Sequence, residues 1–178
     1  MKTLTLIGML ATLVTSASCG GDELGPAAIT AIQAKPLCEA DCHHKIECGG
    51  PNDLAACTAK CVTELTLLKV RGDAAQSVFD CTLPLACNAT DGEKACRLKV
   101  EPLAIHKQWE TKCRARLATC SDLAALCEVT PSGKATGDDR GFMRFTAPET
   151  MTQLIKCLDA SNCDSRRSCI NQLLPTNF

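Results

Sequence analysis

The stretch from Cys38 to Cys61 constrains this chain more than any other. It holds two Cys-x3-Cys units, Cys38/Cys42 and Cys57/Cys61, around a polar segment ending Gly49-Gly50-Pro51-Asn52-Asp53. Cysteines four apart on a helix lie on one face, about 6 Å apart along the axis. A Gly/Pro/Asn turn between two such helices brings the ladders face to face. Antiparallel geometry then pairs outer with outer, Cys38 with Cys61, and inner with inner, Cys42 with Cys57. Ala40, Ala55, Ala56 and Ala59 leave room for the close approach a bridge demands. The expected unit is a helical hairpin with two covalent staples.

The spacing repeats. Cys42-x5-Cys48-x8-Cys57 is matched by Cys81-x5-Cys87-x8-Cys96, 39 residues on, and Asp41/Asp80, Ala56/Ala95 and Lys60/Lys99 match at the same offset. At that offset Cys38 becomes Ser77 and Cys61 becomes Val100, a joint absence that is what losing one bridge looks like. It supports Cys38–Cys61 and leaves Cys42–Cys57 and Cys81–Cys96. A shorter version, Cys157-x5-Cys163-x5-Cys169, gives Cys157–Cys169. The fold expected is all-α: three related disulfide-stapled hairpins, at about 36–70, 73–100 and 148–175, around a central helix, with an insertion at 103–147.

Residues 1–18 read as a secretory signal: Lys2, an apolar run from Leu4 to Val14, then small residues. Ser16-Ala17-Ser18-Cys19 resembles a bacterial lipobox, departing from it at Ser16, where Leu is usual. The resemblance implies a diacylated Cys19 as the first mature residue and, with Gly20 next, the outer membrane as destination. Cleavage by ordinary signal peptidase after Ala17 or Ser18 is the competing reading. Cysteine parity bears on the choice. The chain has 15 cysteines, and assigning Cys19 to lipid leaves 14, enough for seven bridges. Residues 19–35 are then a lipidated N-terminus and flexible tether, and 36–178 a single cysteine-rich helical domain.

With one Trp, no Tyr and four Phe, the chain has little large apolar area to bury. Cysteine at about 9 % of the mature residues falls in the range of disulfide scaffolds. Net charge is −1, which favours neither nucleic acid nor an anionic bilayer as partner. Punctuation places helices at Pro36–Glu47, Leu54–Val70, from Asp73 toward Cys81, and from Glu93, bent at Pro102, toward Cys120. Ser121-Asp122 looks like a fresh cap and 130–141 like a loop. Phe142-Met143-Arg144-Phe145 reads as an apolar clasp or a short strand. Helices at Glu149–Leu158 and at Ser165–Leu174, capped by Asp164, close the chain.

Six cysteines remain. On one helix Cys113, Cys120 and Cys127 would form a stripe with neighbours about 10.5 Å apart, beyond bridging distance. Each would then take one of Cys48, Cys87 and Cys163, pinning the hairpins to a central helix. A helix break at Ser121 removes that restriction, and local bridges such as Cys87–Cys113 are the alternative.

Candidate chemistry is sparse. His43-His44 beside Cys42 and Cys48 invites a metal reading, but export oxidises thiols and adjacent helical histidines diverge by about 100°. Secreted phospholipase A2 has a His-Asp pair after a helical cysteine; here His44 is followed by Lys45, with no Gly-rich loop before it. His106 stands near Trp109 without an evident partner. Gly137-Asp138-Asp139-Arg140-Gly141 is a loose metal-loop match, and Asn88-Ala89-Thr90 a glycosylation match better read as a turn. Arg97, Lys99, Lys107, Lys112, Arg114 and Arg116 make a basic run that Glu101 and Glu110 interrupt. Cys-x3-Cys within a helix is not the Cys-x-x-Cys of thioredoxin-like catalysis. No catalytic, cofactor-binding or metal residue is assigned.

The hairpin of Cys38–Cys61 resembles the coiled-coil-helix-coiled-coil-helix and small Tim-type hairpins. Over its length, the lipobox with Cys19-Gly20-Gly21-Asp22 and the helical Cys-x3-Cys units resemble cysteine-rich predicted lipoproteins of myxobacterial type. Those resemblances imply a compartment and an architecture rather than a reaction. The expected function is a lipid-anchored extracytoplasmic interaction or structural module, facing the periplasm or on the outer membrane. The partners expected are a membrane, through the anchor, and an unidentified protein; no nucleic acid and no cofactor is expected. The alternatives are a metal-binding Cys/His protein of the envelope or an unrecognised secreted enzyme.

Overall fold

The computed structural model describes residues 24–89, 91–117, 119–120, 124–127 and 142–174. The signal segment, Cys19, the Ser121-Asp122 cap and the Gly137–Gly141 loop lie outside these. The described chain is all-helical, with seven α-helices and two 3-10 turns stapled by seven disulfides.

Helix α1 is Ala31–Glu47 and α2 is Leu54–Leu67. The start of α1 differs from the sequence expectation of Pro36. Thr30 caps the helix, its hydroxyl accepting from the Gln33 amide while the Gln33 side chain accepts from the Thr30 amide. That reciprocal pair outweighs the interior position of Pro36. Asp53 caps α2 through the Ala56 amide at 3.0 Å, and Gly49, at φ 80°, makes the turn between them. The hairpin carries Cys38–Cys61 and Cys42–Cys57, with Cα separations of 5.7 and 5.9 Å.

Helix α2 ends at Leu67 rather than at Val70, and Lys69 just beyond it takes the left-handed φ of 51°. Gly72 opens α3, Gly72–Thr82, where Leu24 packs so close that an added Cβ would meet the Leu24 Cβ at 2.9 Å. A short α4, Gly92–Leu98, completes the second hairpin under Cys81–Cys96.

Residues 25–30, expected as part of a flexible tether, are instead built into the fold. The Ile29 amide donates to the Val70 carbonyl at 2.7 Å, Gly72 to Ala27 at 2.9 Å, and Ala28 to the Glu149 carboxylate at 2.8 Å. Ile29 is buried.

The described residues within 103–147, expected as an insertion, likewise build part of the core. Helix α5, Ala104–Leu117, presents His106, Trp109, Cys113 and Leu117 on one buried face, at helical spacing. It packs against α6, Pro148–Cys157, whose Met151, Leu154 and Ile155 face it, and against the 3-10 turn Ala124–Cys127. The 3-10 turn Phe142–Phe145 lays Met143 into the same core. Helix α7, Cys163–Leu173, is capped by Asn162 rather than Asp164, and folds back on α6 under Cys157–Cys169.

Candidate functional site

The two N-terminal hairpins enclose a groove of about 1420 Å³ lined by α1 to α4. Apolar walls come from Leu65 and Leu68 on α2 and from Ala75, Val78 and Phe79 on α3. It runs from the Cys48–Cys87 bridge toward Val70, Phe145 and Thr146. The groove exists because α1 and α2 each spend one face on cystine rather than on bulky side chains. Small residues at these positions hold the helices together without filling the space between hairpins.

Each cation at the groove is paired on its own helix, while the lining carboxylate of Asp53 is spent on the α2 cap. Lys45 pairs with Asp41 at 2.7 Å, Lys60 with Glu64 at 3.9 Å, and Arg97 with Glu93 at 2.6 Å. The basic run noted in the sequence is thereby divided: Arg97 belongs to the groove, Arg114 pairs with Glu110 at 2.7 Å, and Arg116 approaches Asp159 at 3.9 Å.

The connectivity of the remaining cysteines corrects the central-helix picture. Cys48 pairs with Cys87, Cys113 with Cys127, and Cys120 with Cys163. Helix α5 stops at Leu117, so the three cysteines never share a helix, and the chain returns at Cys127 to within a Cα separation of 5.3 Å of Cys113. The first two hairpins are fastened to each other by Cys48–Cys87, while the third is fastened through Cys163 to Cys120, just beyond α5, as the sequence expectation of a turn cysteine pairing with one of the three allowed. Cys48 and Cys87 occupy equivalent positions of the 39-residue repeat, a relation visible in the sequence that would have suggested the pair.

The histidines separate. His43 is exposed, and His44 is half-buried with its Nε2 3.9 Å from Cys48 Sγ. Because Cys42 and Cys48 are both bridged, their sulfurs carry no thiolate for a metal. No group of three potential ligands occurs among the described residues.

His106 is fully buried in a polar seam that joins the halves of the molecule. Its Nδ1 accepts from the Leu103 amide at 2.8 Å, and its Nε2 donates to the Thr146 carbonyl at 2.8 Å. This arrangement fits the neutral ring with the proton on Nε2. Burial pushes its pKa below the ordinary value, with a further push from nearby Arg71. Two buried arginines complete the seam. Arg71 donates to the Glu101 carbonyl at 2.7 Å and lies 3.4 Å from Asp73, and burial lowers its pKa. Arg144 donates to the Arg97 carbonyl at 3.0 Å and stacks 4.4 Å over Phe145. Sequence reasoning missed both arginines, since nothing local distinguishes them from surface cations.

No protein-family model, curated protein or solved structure matches this chain. Among the described residues no helix is long and apolar enough to cross a membrane.

Proposed function

We propose that this chain is an exported, lipid-anchored interaction or structural module whose cysteines are a scaffold. The observation that carries this reading is the cystine count. Seven bridges take fourteen of the fifteen cysteines and leave Cys19, the residue of the lipobox-like segment. Bridges of this density are formed and kept in oxidising compartments. An acyl chain on Cys19 would hold the domain at the periplasmic or outer face. The groove supplies a contact surface with apolar walls and cations already paired on their own helices.

Intact mass of the purified native chain, with and without reductant, tests the proposal. The expected result is a gain of about 14 Da on reduction, two hydrogens per bridge, and a diacylglycerol adduct on the peptide beginning at Cys19. An unmodified mature N-terminus would overturn the anchor. Free thiols with stoichiometric zinc or copper would overturn the scaffold.

A further inference from the structure

We propose that Cys48–Cys87 is a thiol–disulfide exchange site, opened by a dithiol reductant while the other six bridges stay closed. The proposal depends neither on the lipid anchor nor on what occupies the groove. Exchange requires a thiolate to reach a sulfur, so access decides which bridge reacts. Each of the other six has at least one buried cysteine: Cys38, Cys42, Cys96, Cys113 with Cys127, Cys120 and Cys157. In Cys48–Cys87 neither is buried, and Cys87 is exposed.

Position adds a second argument. The bridge joins the C-terminal cap of α1 to the turn after α3, outside both hairpins. Opening it leaves each hairpin stapled, by Cys42–Cys57 and by Cys81–Cys96. Ala34 and Cys38 still pack against Ala75 and Phe79, which keeps α1 on α3. Breaking Cys81–Cys96 or Cys157–Cys169 would instead leave a hairpin with no staple. Opening frees one end of the groove while both hairpins keep their staples.

The chemistry balances as follows. A thiolate of the reductant attacks the exposed Cys87 Sγ, a mixed disulfide forms, and the Cys48 sulfur departs with the bond pair. It takes a proton, for which His44, 3.9 Å away, is the nearby ring nitrogen. The second thiol of the reductant then closes on the mixed disulfide and releases Cys87. The dithiol becomes a disulfide, and two electrons and two protons have passed to Cys48 and Cys87.

The test is a timed dithiothreitol reduction of the native chain without denaturant, quenched by alkylation and read by peptide mapping. Cys48 and Cys87 should be labelled first, roughly tenfold faster than any other pair, with helicity retained. His44→Ala should slow that opening and leave the other rates unchanged. The double variant Cys48→Ser/Cys87→Ser should stay helical with six bridges intact. Earlier labelling of another pair, a single cooperative loss of all seven with helicity, or an unfolded double variant would each overturn the proposal.

Discussion

The paired hairpins of residues 31–98 and the assembly of residues 104–174 use the same device and are stabilised differently. The first half has four bridges, Cys38–Cys61, Cys42–Cys57, Cys48–Cys87 and Cys81–Cys96, and a shallow core around Ala34, Ala75 and Phe79. The second has three bridges, yet every large side chain that is fully buried among the described residues lies there, Trp109, Met143, Leu154 and Ile170 included. Cystine can replace hydrophobic bulk in one half, and the consequence is an unfilled groove. Where bulk is available, the same stapled geometry closes into an ordinary core. A concave surface is thus left open by the half that depends most on covalent links.

The largest effect expected from breaking this contrast is at Trp109. Its indole donates to the Leu126 carbonyl at 3.0 Å from a fully buried position. Trp109→Ala should cost about 3–5 kcal/mol in denaturant unfolding. A loss below about 1 kcal/mol would mean that bridges, not packing, hold this half as well.

The seam comes next. Arg71→Met removes the donor to the Glu101 carbonyl, and the lost hydrogen bond should cost about 0.5–1.5 kcal/mol in the same measurement. An unchanged midpoint would show that the halves are joined by something other than these arginines.

His106 gives a pH signature of smaller size. Its folded pKa lies below the ordinary 6.5, so between those values the unfolded chain binds more protons than the folded one. Its contribution is present above pH 6.5 and is lost as pH falls toward the folded pKa. The slope should not exceed about 1.4 kcal/mol per pH unit. Thermal melts of wild type and His106→Gln across this window should converge at the acid end; parallel curves would contradict the assignment.

The smallest effect is expected in the groove. Val78 is half-buried on its wall, and Val78→Ala should cost less than about 1 kcal/mol. A loss as large as that at Trp109 would show that the groove is a core after all.

What was legible in the sequence follows the same division. The all-helical class and the stapled hairpins could be read because cysteines four apart on antiparallel helices admit one geometry. The bridges between elements were not fixed by that argument. Cys113–Cys127 depends on where α5 ends, and Cys120–Cys163 on how α7 folds back, both set by packing far away in the chain. The docking of residues 25–30 was hidden for another reason: it uses backbone hydrogen bonds to Val70 and Gly72, which leave no mark on side-chain pattern. The groove itself was invisible, since empty space between hairpins has no residue to announce it.

The most direct test of the contrast is hydrogen exchange on the fully reduced chain under otherwise native conditions. Amides of α1 to α4 should lose protection while those of α5 and α6 around Trp109 keep a substantial part of theirs. Equal loss in both halves, or survival of the hairpins while the Trp109 core opens, would contradict the claim that one half is held by cystine and the other by packing.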